Sequence, residues 1–333
     1  PCTAMTRYVA FAAAAVWCCH AQGGAAPDPF LADWMSHLSP AIGNLSLLDI
    51  SLPGTHDSMT YDLSTRISDG ANDLPAAVAW VLHEFGGIVD LVGVGKFIRD
   101  QARTQDLSMK GQLENGARFI DFRTMYTAAP QSSSTAPHDW FSLHMVETNQ
   151  KSLAYLQQAK EFLDEHPGEV VAFWVSRHGG QCNKGSQAYP DIKPATKQAF
   201  WAQVKALFGD LMFDPSSQGA ASGVNATTLG AMVKSGGRAV FYVTDWAEFT
   251  GSDPHAYDAC EHLDNSLSGG DLTNLPGTVP GLAKEFAAGA TGKRAALKAV
   301  DKIYLVSIAG SPPDFQTKDA ALIKWDPFYK TKH

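Results

Sequence analysis

The sequence predicts an α/β fold built on a largely parallel sheet, and three observations carry that expectation. Apolar runs of strand length recur along the chain, helical patterns fill the intervals between them, and no internal repeat or low-complexity linker divides the sequence. The strand runs lie at 46–51, 117–123, 140–145, 169–176, 238–244 and 302–308. In a chain of 333 residues they point to an irregular (βα)8 barrel of the TIM type.

Taken in order, the elements begin with a processing segment. Residues 1–4 precede Met5, which reads as the start. Arg7 supplies a basic end, 8–19 are apolar but too few to span a bilayer, and Cys19-His20-Ala21 puts small residues at signal-peptidase positions. The expectation is a cleaved secretory signal within 1–21 and one domain over 22–333; an amphipathic first helix is the other reading. After the strand at 46–51 comes a long insertion at about 65–103. Its apolar stretch, 74–97, carries Trp80 and Phe85 but is broken by His83, Glu84 and Asp90, which argues against a membrane span. It reads as a helix capping the barrel or as an interfacial lid. A helix over 106–115 runs directly into the strand at 117–123. Residues 151–166 place Leu153, Leu156, Phe162 and Leu163 on one stripe and stop at His166-Pro167-Gly168. Residues 194–209 carry Phe200, Val204, Leu207 and Phe208 at similar spacing. The last strand run ends at Ile308, and no further one precedes His333, so this fragment is expected to lack the strand that closes the barrel.

With 45% hydrophobic and 18% charged residues the composition is that of a globular protein, neither disordered nor collagen-like. A formal charge of -8 without a basic stripe argues against a nucleic-acid partner, because phosphate contacts need clustered Lys and Arg. Once the signal is removed, Cys182 and Cys260 remain, and an oxidising compartment favours one disulfide between them. The other readings are two free thiols, or zinc held among His178, Cys182, His255, Cys260 and His262, whose spacings match no tight zinc pattern. Asn44 and Asn225 head glycosylation sequons.

The densest chemical signal is Leu52-Pro-Gly-Thr-His56-Asp57-Ser-Met-Thr-Tyr61. Pro-Gly turns the chain and presents a histidine and a carboxylate at a strand's carboxyl end, where barrel active sites sit. The second is Gly116-Ala-Arg-Phe-Ile-Asp121-Phe-Arg123-Thr. Strand alternation sends Phe119, Asp121 and Arg123 to one face and Ile120 and Phe122 to the other. An acid and a guanidinium inside a barrel are costly unless they pair or meet a ligand, so the choice is a structural ion pair or a site. The third is Trp140-Phe-Ser-Leu-His144-Met, with Ser142 and His144 on one face; a satisfied core histidine is the plainer reading of His144. Together the three converge on two histidines, carboxylates and an Arg at strand ends. That set suits in-line phosphodiester cleavage without a metal: one histidine takes a proton, the other gives one, and Arg neutralises the phosphorane.

Pro53-Gly-Thr-His-Asp-Ser-Met59, the Gly-x-Arg-x-x-Asp-x-Arg strand and the later His144 resemble the catalytic X-type domain of phosphatidylinositol-specific phospholipases C, in its bacterial-like single-domain form. The resemblance covers roughly residues 40–310 and implies an irregular (βα)8 barrel. It implies His56 as general base on the inositol 2-hydroxyl, His144 as general acid toward the diacylglycerol oxygen and Asp57 as the carboxylate partnering His144. It implies Arg123 as the phosphate-binding Arg, Asp121 as the acid beside it, and Arg177 as a basic substrate contact. Calcium-dependent members resemble Glu-x-Asp where this chain has Asp121-Phe-Arg123, so no metal or other cofactor is expected. The family's late carboxylate supporting the first histidine has no match here, since Asp314, Asp319 and Asp326 lie in loop-like sequence. The expected function is that of a secreted phosphoric diester hydrolase acting on phosphoinositide or glycosylphosphatidylinositol lipids at a membrane surface, with no obligate protein partner. The alternative is an inactive lipid- or inositol-binding domain on the same scaffold.

Overall fold

The computed structural model describes residues 28–67, 94–128, 137–176, 192–218, 223–244, 252–267, 270–271, 302–306 and 310–311. Along the chain, a single turn at Pro29–Ala32 leads into α1 (Trp34–Ile42), followed by β1 (Gly54–Thr55) and β2 (Leu63–Ile67). Then come α2 (Val94–Ala102), α3 (Met109–Glu114), β3 (Phe119–Arg123), β4 (Met125–Ala128), β5 (His138–His144) and β6 (Val146–Lys151). The second half contributes α4 (Ser152–Glu165), β7 (Val171–Ser176), α5 (Pro194–Phe208), α6 (Leu229–Ser235), β8 (Ala239–Val243) and β9 (Ala256–Asp258).

Five of these strands make a parallel sheet in the order β1-β3-β7-β8-β9. The α/β class expected from the alternation is therefore what the chain adopts. Both faces of the sheet are covered, as a parallel sheet requires. On the outer face Ile120, Phe122, Phe173, Val175 and Phe241 pack with Tyr155, Phe162, Phe200 and Trp201 of α4 and α5. On the inner face Phe119, Ala172, Trp174, Val240 and Tyr242 pack with Trp34, Met35, Leu229 and Met232. The stripe of α4 includes the buried Tyr155 and Ala159 beside Leu156, Phe162 and Leu163, and the helix stops at His166, whose N–H donates to the Phe162 carbonyl before Pro167-Gly168.

Three expectations are corrected. Residues 46–51 are a turn, and the first strand is Gly54–Thr55 inside the motif itself. Asp49 causes this: its carboxylate accepts from both the N–H and the hydroxyl of Ser46 at 3.2 and 2.8 Å, while its own N–H donates to the Ser46 carbonyl at 2.9 Å. The strand bearing His144 also lies outside the parallel sheet, in an antiparallel one of order β2-β6-β5-β4. Only Met145, at φ +61°, separates β5 from β6, and parallel pairing needs a crossover of about a dozen residues. The Asn225 sequon fails for a packing reason. Asn225 is fully buried, donates to the His262 carbonyl at 3.1 Å and accepts from the Tyr242 hydroxyl, which leaves no room for a glycan; Asn44 is exposed.

The strand expected at 302–308 is present as β12 (Ile303–Val306), pairing in parallel with β10 (Leu263–Leu267); β11 (Gly270–Asp271) pairs likewise with β13 (Gly310–Ser311). Among the described residues the sheets do not close into a ring. The expected signal segment, the Trp80 and Phe85 stretch of the insertion, Arg177, Cys182 with its expected bond to Cys260, and Asp314, Asp319 and Asp326 lie outside the described residues.

Candidate active site

The carboxyl ends of β1, β3 and β5 converge on one cluster. His56 and Asp57 follow β1 directly, Arg123 ends β3 with Asp121 two residues before it on the same face, and His144 ends β5. The chain reaches β3 through α3, which Ser108 caps by accepting from the Gly111 N–H, and through Gly116 at φ +96°, a conformation that favours glycine. Asp57 itself stands at φ +48°, in the left-handed region that costs a non-glycine residue about 1–3 kcal/mol and persists where neighbours over-determine it. Those neighbours are visible. The Asp57 N–H donates to Asp121 Oδ2 at 3.1 Å and the Ser58 N–H to the Asp121 carbonyl at 3.1 Å. The Ser58 hydroxyl donates to the Thr55 carbonyl at 3.0 Å.

Asp57 is the hub. Its Oδ1 lies 2.5 Å from Arg123 Nη1, and its Oδ2 lies 3.2 Å from His56 Nε2 and 3.5 Å from His144 Nδ1. Asp121 Oδ2 in turn lies 3.1 Å from both His56 Nδ1 and Arg123 Nη2. Asp57, Asp121 and Arg123 are buried, whereas the side chains of His56 and His144 are 39% and 19% exposed. The arrangement is a buried floor of one guanidinium and two carboxylates with two imidazoles at its open side.

Both ring nitrogens of His56 face carboxylate oxygens. Burial alone pulls its pKa down, but the hydrogen bond to Asp121 and the charges of Asp57 and Asp121 outweigh that and Arg123 together, so the net shift is upward. Burial alone pushes the Asp121 carboxyl up. The Arg123 charge and the His56 hydrogen bond more than reverse this and hold it well below the usual carboxylate range. His56, Asp57 and Asp121 also form a group whose ligand atoms lie within 4.8 Å of one another, close enough to hold a metal ion. Arg123 already sets a fixed cation against both of those carboxylates, which opposes a second one.

All four residues expected to react, and Asp121, thus meet in one place, and the Asp121/Arg123 versus Ile120/Phe122 alternation is as expected. One partnership differs in emphasis: the nearest neighbour of His144 Nδ1 is the Ala102 carbonyl at 2.7 Å, with Asp57 further off. Sequence reasoning missed Ala102, Thr104 and Gln105, at the end of the insertion. Thr104 and Gln105 both donate to the His56 carbonyl, at 2.9 and 2.8 Å. A polar pair between two helical patterns was the only signal for them, and Ala102 acts through its backbone, which no side-chain motif marks.

No family model matches the chain. It is 34% identical over 147 residues to the PI-PLC X domain-containing protein 1 of Mus musculus, covering 44% of this chain and 39% of that protein. It is 26% identical over 186 residues to the Homo sapiens protein of the same name, covering 54% of this chain and 49% of that one. Each match spans less than half of the relative. Among solved structures, the phosphatidylinositol-specific phospholipase C of Listeria monocytogenes superposes with a TM-score of 0.48 at 16% identity, over 90% of this chain and 85% of that chain. One from Staphylococcus aureus gives a TM-score of 0.48 at 17% identity, over 85% and 82%. The named relatives bear out the resemblance: the chain is similar to the PI-PLC X-domain proteins.

Proposed function

We propose that the chain is a phosphodiesterase that cleaves phosphoinositide or glycosylphosphatidylinositol lipids without a metal. One observation carries the reading: a single buried carboxylate, Asp57, lies within reach of both histidines and of Arg123. In the proposed step, neutral His56 takes the proton of the inositol 2-hydroxyl, whose oxygen forms a bond to phosphorus. The bond from phosphorus to the glycerol oxygen breaks, and His144 supplies the proton that this oxygen needs to leave as diacylglycerol. Arg123 faces the charge that develops on the phosphoryl oxygens, in place of a cation. The products are a 1,2-cyclic inositol phosphate and diacylglycerol.

The reading extends to a barrel-type architecture built on the parallel sheet. Leu263 of β10 and Ile303 of β12 pack into the inner-face cluster with Trp174 and Tyr242, which supports it. It also includes secretion, supported by the apolar run over 8–19. The test is phosphorus NMR of phosphatidylinositol vesicles incubated with the protein. A cyclic phosphodiester signal that appears in wild type and is lost in His144→Ala is expected. Vesicle binding with no new signal from a folded protein would replace the enzyme by a lipid-binding domain.

A further inference from the structure

The stretch from Ala102 to Gln105 touches both histidines, and neither the motifs nor the proposed chemistry accounts for it. His144 Nδ1 lies 2.7 Å from the Ala102 carbonyl. A carbonyl can only accept, so Nδ1 carries a proton there and Nε2 is the nitrogen left for other work. Ala102 ends α2, and the last carbonyls of a helix have no donor within it, so the imidazole also satisfies a helix terminus.

Two and three residues on, the same stretch grips His56 by its backbone. The Thr104 hydroxyl and the Gln105 amide both donate to the His56 carbonyl. Because the one Thr104 hydroxyl proton is used there, its 2.8 Å contact with Thr60 must run the other way, with Thr60 donating. Thr60 Oγ1 in turn accepts from the N–H groups of Thr104 and Gln105 at 3.0 and 3.1 Å. The His56 carbonyl belongs to the peptide that enters Asp57, the residue at φ +48°. Fixing that peptide fixes both the imidazole of His56 and the left-handed turn that aims Asp57 at Arg123.

A separate small apolar cluster of Leu63, Ile98, Ala102 and Val146 seats α2 on β2 and β6. The stretch is therefore anchored independently of the two main cores.

We infer that residues 102–105 are a positioning strap, in which the Ala102 carbonyl sets the tautomer of His144 and Thr104 and Gln105 set the orientation of His56. The inference rests on the function proposed above, and its test separates the two. In wild type, ring nitrogen NMR should find neutral His144 protonated at Nδ1. In Thr104→Val/Gln105→Leu, with folding verified by its melting temperature, the ring signals of His56 should shift while those of His166, which pairs with Asp33 at the other end of the sheet, stay in place. On phosphatidylinositol vesicles kcat should fall at least about tenfold with KM little changed, the signature of misplaced reacting groups. Thr104→Ser, which keeps the hydroxyl, should retain most of the wild-type kcat. Should the double variant fail to fold, Thr104→Val alone is read in the same way. A neutral His144 protonated at Nε2, unmoved His56 signals, or a folded variant with wild-type kcat would overturn the strap. If wild type shows no turnover, the proposed function falls, and the two NMR readouts still decide the strap.

Discussion

Two buried arginines flank the same strand and meet opposite fates. Arg118 enters β3 and Arg123 leaves it, five positions further along. Arg118 pairs with Glu169 at 2.7 Å, both side chains being 0% exposed. Its remaining donors go to the carbonyls of Leu113, Ala117, Leu31 and Ala32, and its guanidinium lies 4.7 Å over the Phe162 ring. Glu169 in turn accepts from the N–H groups of Met35 and Ser36, which ties α1 to the sheet. At the other end Arg123 meets two carboxylates rather than one, and two part-exposed imidazoles share them. A charge saturated by carbonyls and closed to water is a clamp. The same charge beside titratable rings at an opening is placed to react.

Breaking the clamp should give the largest effect. Glu169→Ala strands Arg118 in the core and should cost about 3–5 kcal/mol of stability by denaturant unfolding, while kcat per folded molecule is unchanged. A loss under 1 kcal/mol, on the order of a surface pair, would mean that Arg118 is held by its carbonyls alone. Arg123→Lys reverses the pattern. The ammonium keeps the charge but loses the fork that spans Asp57 and Asp121, so kcat/KM should fall at least about tenfold, or ~1.4 kcal/mol, with little change in melting temperature. Equal kcat/KM in the two proteins would make Arg123 a second clamp.

The smallest effect is one of pH. A base must be neutral, so kcat/KM should rise with pH through a value above the ordinary imidazole pKa, given the upward shift of His56. Asp121→Asn removes one of the charges behind that shift and leaves at most a neutral acceptor for the hydrogen bond, so it should move the limb to lower pH; an unmoved limb would assign it to another group. The same shift has a stability consequence. A pKa raised by folding contributes stability that is full below the unfolded value and is lost as pH rises through the folded one. The melting-temperature difference between wild type and His56→Ala should therefore shrink over that interval.

Alternation along 117–123 separated Asp121 and Arg123 from Ile120 and Phe122, because a strand's period of two is a local property. Period says nothing of direction, so the strand ending in His144 reads as one more strand of a largely parallel sheet, whereas the one-residue link at Met145 makes its pairing antiparallel. Apolar content alone made 46–51 a strand, whereas a single Asp49 carboxylate bonded to Ser46 makes it a turn. The Arg118–Glu169 pair joins residues 51 positions apart, and no spacing rule links such distant charges. The same holds for the Ala102 carbonyl, a backbone atom at the end of an insertion.

The most direct test of the account is release of soluble inositol phosphate from phosphatidylinositol vesicles in excess chelator, compared between wild type and His56→Ala. The account predicts release that survives the chelator and falls by about 10²–10⁴-fold in the variant, the span typical of a lost acid–base group. Release that requires added calcium, or that survives the loss of His56, would contradict it.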